Sequence, residues 1–537
     1  MDIEIELKKI IKDSLDFDIS LDEIEIEVPK NKENGDFSSN IAMKLCKKLG
    51  KKPIEIATML KENINNSLIK NVEIAGPGFI NFFVDKTYLL DNIINIINLD
   101  KDYGRSSVGN NEKINVEFVS VNPTGTIHLG HARGACYGDS LCNVLSFAGY
   151  DVTREYYIND AGNQMNNMAL SIIERYKEVC GMDSHMEENY YHGEEITAIA
   201  KDLYEEYGNT LDITDVKFFW KKGLEVFLNG IKKDLSDINV EFDVWSSEQK
   251  IRDRGLVEES LQKLTDLGYT YELDGAIYLK TSLFGDEKDR VIRKADGSYT
   301  YFAPDIAYHL DKLDRGYDKL IDVLGSDHHG YVSRLKAAVS MLGGDSKKLD
   351  VHLIQMVRAI KDGAEYKLSK RTGKSITLKD LVEDTSTDAV RYFFVSRSID
   401  TMMDYDVDLA LKKNNENPVY YVNYAHARIC SILKDKQIDF DNNYKFETIN
   451  SDIAYNVLSK LDEFKKVVEK SAKTTSPHLI TNYVYELASL FHSYYAKEKV
   501  ITDDVKYTNE RLMLIKAVKI TIYNALKLIG ITSPERM

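Results

Sequence analysis

The feature that most constrains this chain is an abrupt change of pattern in its second hundred residues. Residues 114–121 are β-prone, with Val116, Phe118 and Val119 among them, and read as a strand. Pro123 and Gly125 break it. Leu141, Val144, Leu145 and Ala148 then recur at the i, i+3, i+4, i+7 spacing of a buried helix face. Gly149 closes that helix, and Val152 to Ile158 reads as the next strand. Strand, break, buried helix and strand make a β-α-β unit, which belongs in a mostly parallel sheet.

The helix entrance carries His128-Leu129-Gly130-His131. A helix N-terminus offers free backbone N–H groups and the positive end of the macrodipole, and so attracts anions. Two histidines three apart face the same way on a helical turn and are placed to donate hydrogen bonds to a phosphate whose charge grows during reaction. Gly130 between them lets a flat ring such as a purine approach the backbone. The same residues also fit half a metal site, although a third and fourth ligand are not obvious, or two surface histidines at a helix start. The motif alone leaves these readings open.

Composition narrows the setting. A length of 537 residues is enough for three or four domains. No run of about 18 apolar residues occurs, so no membrane span is expected. The acidic opening Met1-Asp2-Ile3-Glu4 lacks the layout of a signal peptide, and the expected compartment is the cytoplasm. The five cysteines are scattered and none forms C-x-x-C, so neither zinc nor a disulfide framework is expected. A net charge of -16 argues against a generally basic nucleic-acid coat, although a local basic face can still bind phosphate.

Three segments follow from the pattern. Residues up to about 100 read as a small α/β domain, with two strands around Gly76-Pro77-Gly78 and a lysine-rich helix (Lys44, Lys47, Lys48, Lys51, Lys52) that suits a solvated face or an RNA backbone. From about 110 to 390 strands and helices alternate, interrupted by a charged, helix-patterned insertion at about 165–265. The sheet is expected to resume at 275–279 and 289–293. Beyond about 405 strand signals nearly vanish and an all-helical domain is expected, closed by a helix near 511–529 with Gly530 as its cap.

A second chemical loop lies far downstream of the histidines: Lys367-Leu368-Ser369-Lys370-Arg371-Thr372-Gly373-Lys374-Ser375. Its cations, with Gly373 and small hydroxyl residues, suit a loop that closes on a polyphosphate. It is not a P-loop, because the required glycine five places before Gly373 is Leu368. H-x-G-H at a first strand–helix junction followed by K-x-S-K resembles the class I aminoacyl-tRNA synthetases. That resemblance implies a Rossmann-type catalytic domain in which His128 and His131 bind ATP phosphates while Lys367 and Lys370 hold the pyrophosphate end. Charge stabilisation and positioning would supply the rate, without a covalent enzyme intermediate. It further implies that Gly130, Ser369, Asp327 and His328 line the ATP site, that ATP enters with Mg2+, and that the protein itself holds no metal.

Within that class the chain resembles the bacterial arginyl-tRNA synthetases nearly end to end. The resemblance runs through Glu117-Phe118-Val119-Ser120-Val121-Asn122-Pro123-Thr124-Gly125, Tyr157-Ile158-Asn159-Asp160-Ala161-Gly162, Tyr301-Phe302-Ala303-Pro304-Asp305, Gly325-Ser326-Asp327-His328-His329, Asn417-Pro418-Val419-Tyr420-Tyr421 and the terminal Ser533-Pro534-Glu535-Arg536-Met537. It implies an N-terminal tRNA-binding domain (1–105), the catalytic domain (106–400, insertion about 165–265) and a helical anticodon-binding domain (401–537). A guanidinium is planar, rich in donors and permanently charged, so its pocket needs a carboxylate. By resemblance Asp305 supplies it, Tyr301 lies beside it, and Glu117 and Asn122 share the substrate's amino end and side chain. From the residues alone, Asp305 also reads as a helix cap. Tyr421, Tyr424, Arg428 and Met537 are implied in tRNA binding, in a monomer, with some of the tyrosines serving as core. Some arginyl enzymes lack the second lysine of the loop and carry one just before the histidines; here Lys370 is present and Thr124-Gly125-Thr126 holds none. The rival readings are a small-molecule nucleotidyltransferase and a non-catalytic tRNA-binding relative.

Overall fold

The computed structural model describes residues 3–366 and 376–537. The chain forms two compact units. The first comprises Met1–Asp100, Asp435–Asp462 and Leu490–Ile520. Its three-stranded antiparallel sheet has Phe79–Val84 at the centre, flanked by Phe37–Ser39 and Ile69–Ala75. The two longer strands join through Gly76 and Gly78, both at positive φ, the hairpin expected from Gly-Pro-Gly. Ile3, Leu7 and Ile11 of one helix, Leu45 of a second and Ile56 and Leu60 of a third close the core over Ile80 and Phe82. The lysine-rich helix packs through Ile41, Ala42 and Leu45 and leaves Lys44, Lys47 and Lys48 exposed, as its pattern requires.

The second unit, Lys101–Lys434 with Glu463–Ser489 and Thr521–Met537, is built on a five-stranded parallel sheet. Its strands are β1 (Lys113–Glu117), β2 (Asp151–Ile158), β3 (Val244–Ser247), β4 (Lys319–Gly325) and β5 (Leu349–Ile354), in the spatial order β5-β4-β1-β2-β3. This is a Rossmann-type order. It reverses between β1 and β4, and such sheets bind ligands at that reversal, outside the carboxyl ends of the strands. The crossover helix α1 (Leu129–Phe147) follows β1, α2 (Phe302–Asp314) precedes β4, and α3 (His329–Met341) follows it. Helix α4 (Thr387–Val395) and helix α5 (Pro418–Leu433) begin the helical part, whose last helix runs Val505–Leu528, with Gly530 at φ 67.

Three expectations need correction. The first strand ends at Glu117 rather than at residue 121: Val119 and Ser120 take φ 69 and 41, so the chain leaves the sheet there despite its β-prone composition. The insertion is helical over Asn163–Val179, Glu194–Tyr207 and Val216–Ser236, but Val244–Ser247 within it is an edge strand of the main sheet, too short to show a period. Residues 275–279 and 289–293 do not rejoin that sheet. They lie in a separate antiparallel sheet of Thr270–Leu273, Ala276–Leu279 and Arg290–Arg293, whose first turn uses Asp274 and Gly275 at φ 51 and 76. A further strand, Met403–Asp406, pairs with Val357–Lys361 just before the helical part begins.

Candidate active site

His128 caps α1 with extended backbone, and the imidazoles of His128 and His131 stack at 3.6 Å between centroids with a 30° interplanar angle. Burial pushes both pKa values down, that of His131 to about 4 with help from its neighbour, so both rings are neutral at physiological pH. Each therefore keeps one N–H to donate at the helix entrance without electrostatic repulsion between the rings. Nδ1 of His131 is buried without a hydrogen-bond partner among the described residues. The pair is consequently a hydrogen-bonding platform at the sheet's reversal point rather than a cationic clamp. Gly130, between the two histidines in sequence, is exposed.

Lys367, Ser369 and Lys370 lie outside the described residues, but both flanks of their segment are fixed. Upstream, Tyr366 N–H donates to Ala359 O at 2.8 Å. Downstream, Thr377 forms a β-bridge with His128, and Leu378 N–H donates to Ile127 O at 2.8 Å. The lysine segment thus re-enters the described chain against the histidine turn itself.

The loop after β1 is tied down on both sides. Ser120 Oγ donates to Glu117 Oε1 at 3.0 Å and accepts from Tyr157 N–H at 3.0 Å, while Tyr156 OH donates to Val121 O at 2.9 Å. Such bonds hold the left-handed backbone of Val119 and Ser120, conformations that a β-branched residue adopts only when its surroundings impose them. Glu117 is 7% exposed and Asn122 is exposed.

Helix α2 supplies the opposite wall. Tyr301 occupies its N-cap and is 70% exposed, so Asp305 lies in the first turn and is not the cap that local sequence also allowed. The Tyr331 hydroxyl of α3 donates to Asp305. Burial nevertheless raises the Asp305 carboxyl to about 6, despite the Tyr331 hydroxyl, and the nearby charges of Glu117 and Glu248 push in the same direction. A half-buried carboxylate held above its ordinary range is a site short of a cation. Asp327 and His328, after β4, are both exposed, with His328 Nε2 3.8 Å from Asp327 Oδ2. Among the described residues no three His, Cys, Asp or Glu side chains converge on a metal-sized site.

On α5, Tyr420 and Tyr424 stack at 6.0 Å with rings 7° from parallel, and the Arg428 guanidinium lies 5.3 Å from the Tyr424 ring. Tyr421 points about 100° away round the helix, against Tyr485 at 5.4 Å, so it does not join that stripe. Met537 is 55% exposed.

Family models match over nearly the whole length. The arginyl tRNA synthetase N-terminal domain covers residues 1–84, the class I (R) tRNA synthetase catalytic domain 92–448, and the DALR anticodon binding domain 422–537. The arginine–tRNA ligase of Bacillus licheniformis is 48% identical over 98% of this chain and 97% of its own length. The chain belongs to the arginyl-tRNA synthetase family. Arginine–tRNA ligase 1 of Halalkalibacterium halodurans is 49% identical over 97% of the chain and 95% of its own length. Among solved structures, the arginyl-tRNA synthetase of Thermus thermophilus shares the fold, with a TM-score of 0.76 over 100% of both chains at 20% identity. An N-terminal domain, a Rossmann-like catalytic domain and a helical DALR domain are the architecture of this family member.

Sequence reasoning singled out the histidine turn, Asp305 and the tyrosine helix, but passed over Tyr331, Lys312, His309 and Asp322, which the structure brings together with Asp305 and Glu117. A signal was present. Asp305, Tyr308, His309 and Lys312 repeat at i, i+3, i+4, i+7, the spacing of one buried face, written here in polar residues.

Proposed function

We propose that this protein joins L-arginine to its cognate tRNA at the expense of ATP. A carboxylate oxygen of arginine attacks the α-phosphorus, the bond to the β-phosphate breaks, and pyrophosphate leaves. A ribose hydroxyl at the tRNA end then attacks the arginyl carbonyl and releases AMP. Kinship to arginine–tRNA ligases over 98% of the chain carries this reading. A small-molecule nucleotidyltransferase has no use for an anticodon-binding domain at 422–537, and a non-catalytic relative has no use for an intact histidine turn.

In this reading neutral His128 and His131 donate to the phosphates, Gly130 admits the adenine, and Asp327 and His328 border the nucleotide. Lys367 and Lys370, with Ser369, neutralise the departing pyrophosphate, and Mg2+ enters with ATP. Asp305 pairs with the guanidinium beside Tyr301, and Glu117 and Asn122 take the remaining polar groups of arginine. Tyr424, Arg428, Tyr421 and Met537 contact the anticodon arm, since unpaired bases are held by stacking and cations. The functional segments are 1–105 for tRNA, 106–400 for catalysis and 401–537 for the anticodon, in a monomer working in the cytoplasm.

The decisive experiment is a charging assay with arginine, ATP and several purified tRNAs. Arginine-dependent charging confined to arginine-accepting tRNA is expected, and charging with another amino acid would overturn the reading. Lys370→Ala should slow adenylate formation by one to three orders of magnitude, as loss of one preorganised charge contact does. A rate within twofold of the parent in single-turnover measurements would remove Lys370 from the site. Deleting the last three residues should raise the KM for tRNA several-fold and leave the KM for ATP unchanged, which steady-state kinetics reads directly.

A further inference from the structure

Beneath the arginine end of the site lies a charge cluster with no assigned task. Lys312 is 0% exposed on α2, two turns beyond Asp305 on the same face. Its ammonium donates to Glu117 Oε2, donates to Asp322 Oδ1 at 2.9 Å, and sits 4.3 Å from the centre of the Tyr308 ring. Two of the three N–H groups of the ammonium thereby meet carboxylates, and its charge lies over an aromatic face. Asp322 also meets His309 Nε2 at 2.8 Å. Glu117 and Asp322 are direct register partners on the adjacent parallel strands β1 and β4, so their side chains leave the same face of the sheet. Two like charges so placed repel, and the lysine between them makes the pair tolerable. Although burial opposes its charge, the two carboxylates keep the Lys312 pKa above its ordinary value.

We propose that Lys312 is a positioning residue for arginine, fixing the Glu117 carboxylate in one orientation at the carboxyl end of β1. This rests on the reading of Glu117 as an arginine contact. The geometry divides the carboxylate's work. Oε2 faces Lys312 and Oε1 accepts from Ser120 Oγ, which is itself held by Tyr157 N–H. Two of roughly four lone-pair directions are used, and the rest remain for a donor of the substrate. A glutamate without these anchors would have to give up side-chain freedom each time arginine bound. Lys312 touches no substrate atom in this scheme; it lowers the cost of binding by holding its partner ready.

Three variants separate positioning from mere support of the fold, with KM for arginine and for ATP measured by tRNA charging and stability by thermal melting. Asp322→Asn keeps the Lys312–Glu117 pair; it should melt lower and keep its arginine KM within about twofold. The double variant Lys312→Met with Asp322→Asn removes one charge of each sign, so it avoids two unpaired buried carboxylates and remains foldable. It should raise the arginine KM about tenfold or more over Asp322→Asn alone, with the ATP KM unmoved. Glu117→Gln should raise it similarly. If Glu117→Gln raises the arginine KM but the double variant matches Asp322→Asn, the positioning role is overturned. If Glu117→Gln leaves the arginine KM unchanged, the assignment of Glu117 fails and takes this proposal with it.

Discussion

Replacing Asp305 with asparagine is expected to cut arginine use at least a hundredfold while making the folded protein more stable at pH 8. The first effect follows from losing the only carboxylate assigned to the guanidinium, a change that costs about 3–5 kcal/mol when the cation is left unpaired in a buried site. The second follows from the raised pKa. Below pH 3.8 the carboxyl is protonated in folded and unfolded chains alike, and nothing is lost. Between pH 3.8 and about 6 the unfolded chain ionises first, so stability falls as pH rises, and above about 6 the penalty is complete. Its size is on the order of 2–3 kcal/mol. Asparagine removes it, so melting at pH 8 should move upward and melting near pH 3.5 should not. The same carboxyl predicts that the arginine KM of the parent climbs as pH drops through about 6, by up to tenfold per unit, because the protonated acid cannot pair with a guanidinium. A variant that charges tRNA with arginine at near-normal efficiency would sink the assignment.

The second large effect concerns stability alone. Arg391, on α4, is 0% exposed. Its guanidinium donates to Ile529 O at 2.8 Å, to Ile238 O at 2.6 Å and to the Asp139 carboxylate of α1. One side chain thereby joins the crossover helix, the turn after the insertion helix Val216–Ser236 and the turn after the last helix. Arg391→Leu leaves two carbonyls without this donor and the Asp139 carboxylate with the Asn143 amide at 3.1 Å in place of a guanidinium, and should cost about 3–5 kcal/mol. Melting of the unit that contains it should fall by roughly 5 °C. Arg154 Nε, 3.7 Å from Asp139 Oδ1, offers only partial compensation. Gly530 is the companion test. Its φ is +67, and an added Cβ would lie 2.1 Å from the Arg391 guanidinium carbon, so Gly530→Ala should be destabilising by the same mechanism. Scanning calorimetry of both variants checks this; an unchanged melting profile for Arg391→Leu would show that the network is dispensable.

What the residues disclosed depended on whether the signal was local. The histidine turn was legible because a proline, a glycine and a buried helix stripe follow one another within thirty residues, and the Gly76-Pro77-Gly78 hairpin for the same reason. Val244–Ser247 was hidden by its brevity. Its membership of the sheet depends on pairing with β2, a contact that spans the three insertion helices between Asn163 and Ser236. Residues 270–293 alternate as any strand does, and periodicity does not say which sheet a strand joins. The strained Val119-Ser120 turn contradicts local propensity outright, and strain of that kind is imposed by tertiary bonds that the sequence does not advertise. Arg391 and Lys312 were invisible for a related reason: a charged residue reads as surface until its partners, hundreds of positions away or on a neighbouring strand, are known.

The bridge between Thr377 and His128 has a kinetic meaning. Leu378 N–H donates to Ile127 O at 2.8 Å beside it, so two backbone contacts hold residues 377–378 against the histidine turn. In the proposed reaction, substitutions at Thr377 or Ile127 that loosen this anchor should slow pyrophosphate departure, although neither residue is assigned a contact with ATP.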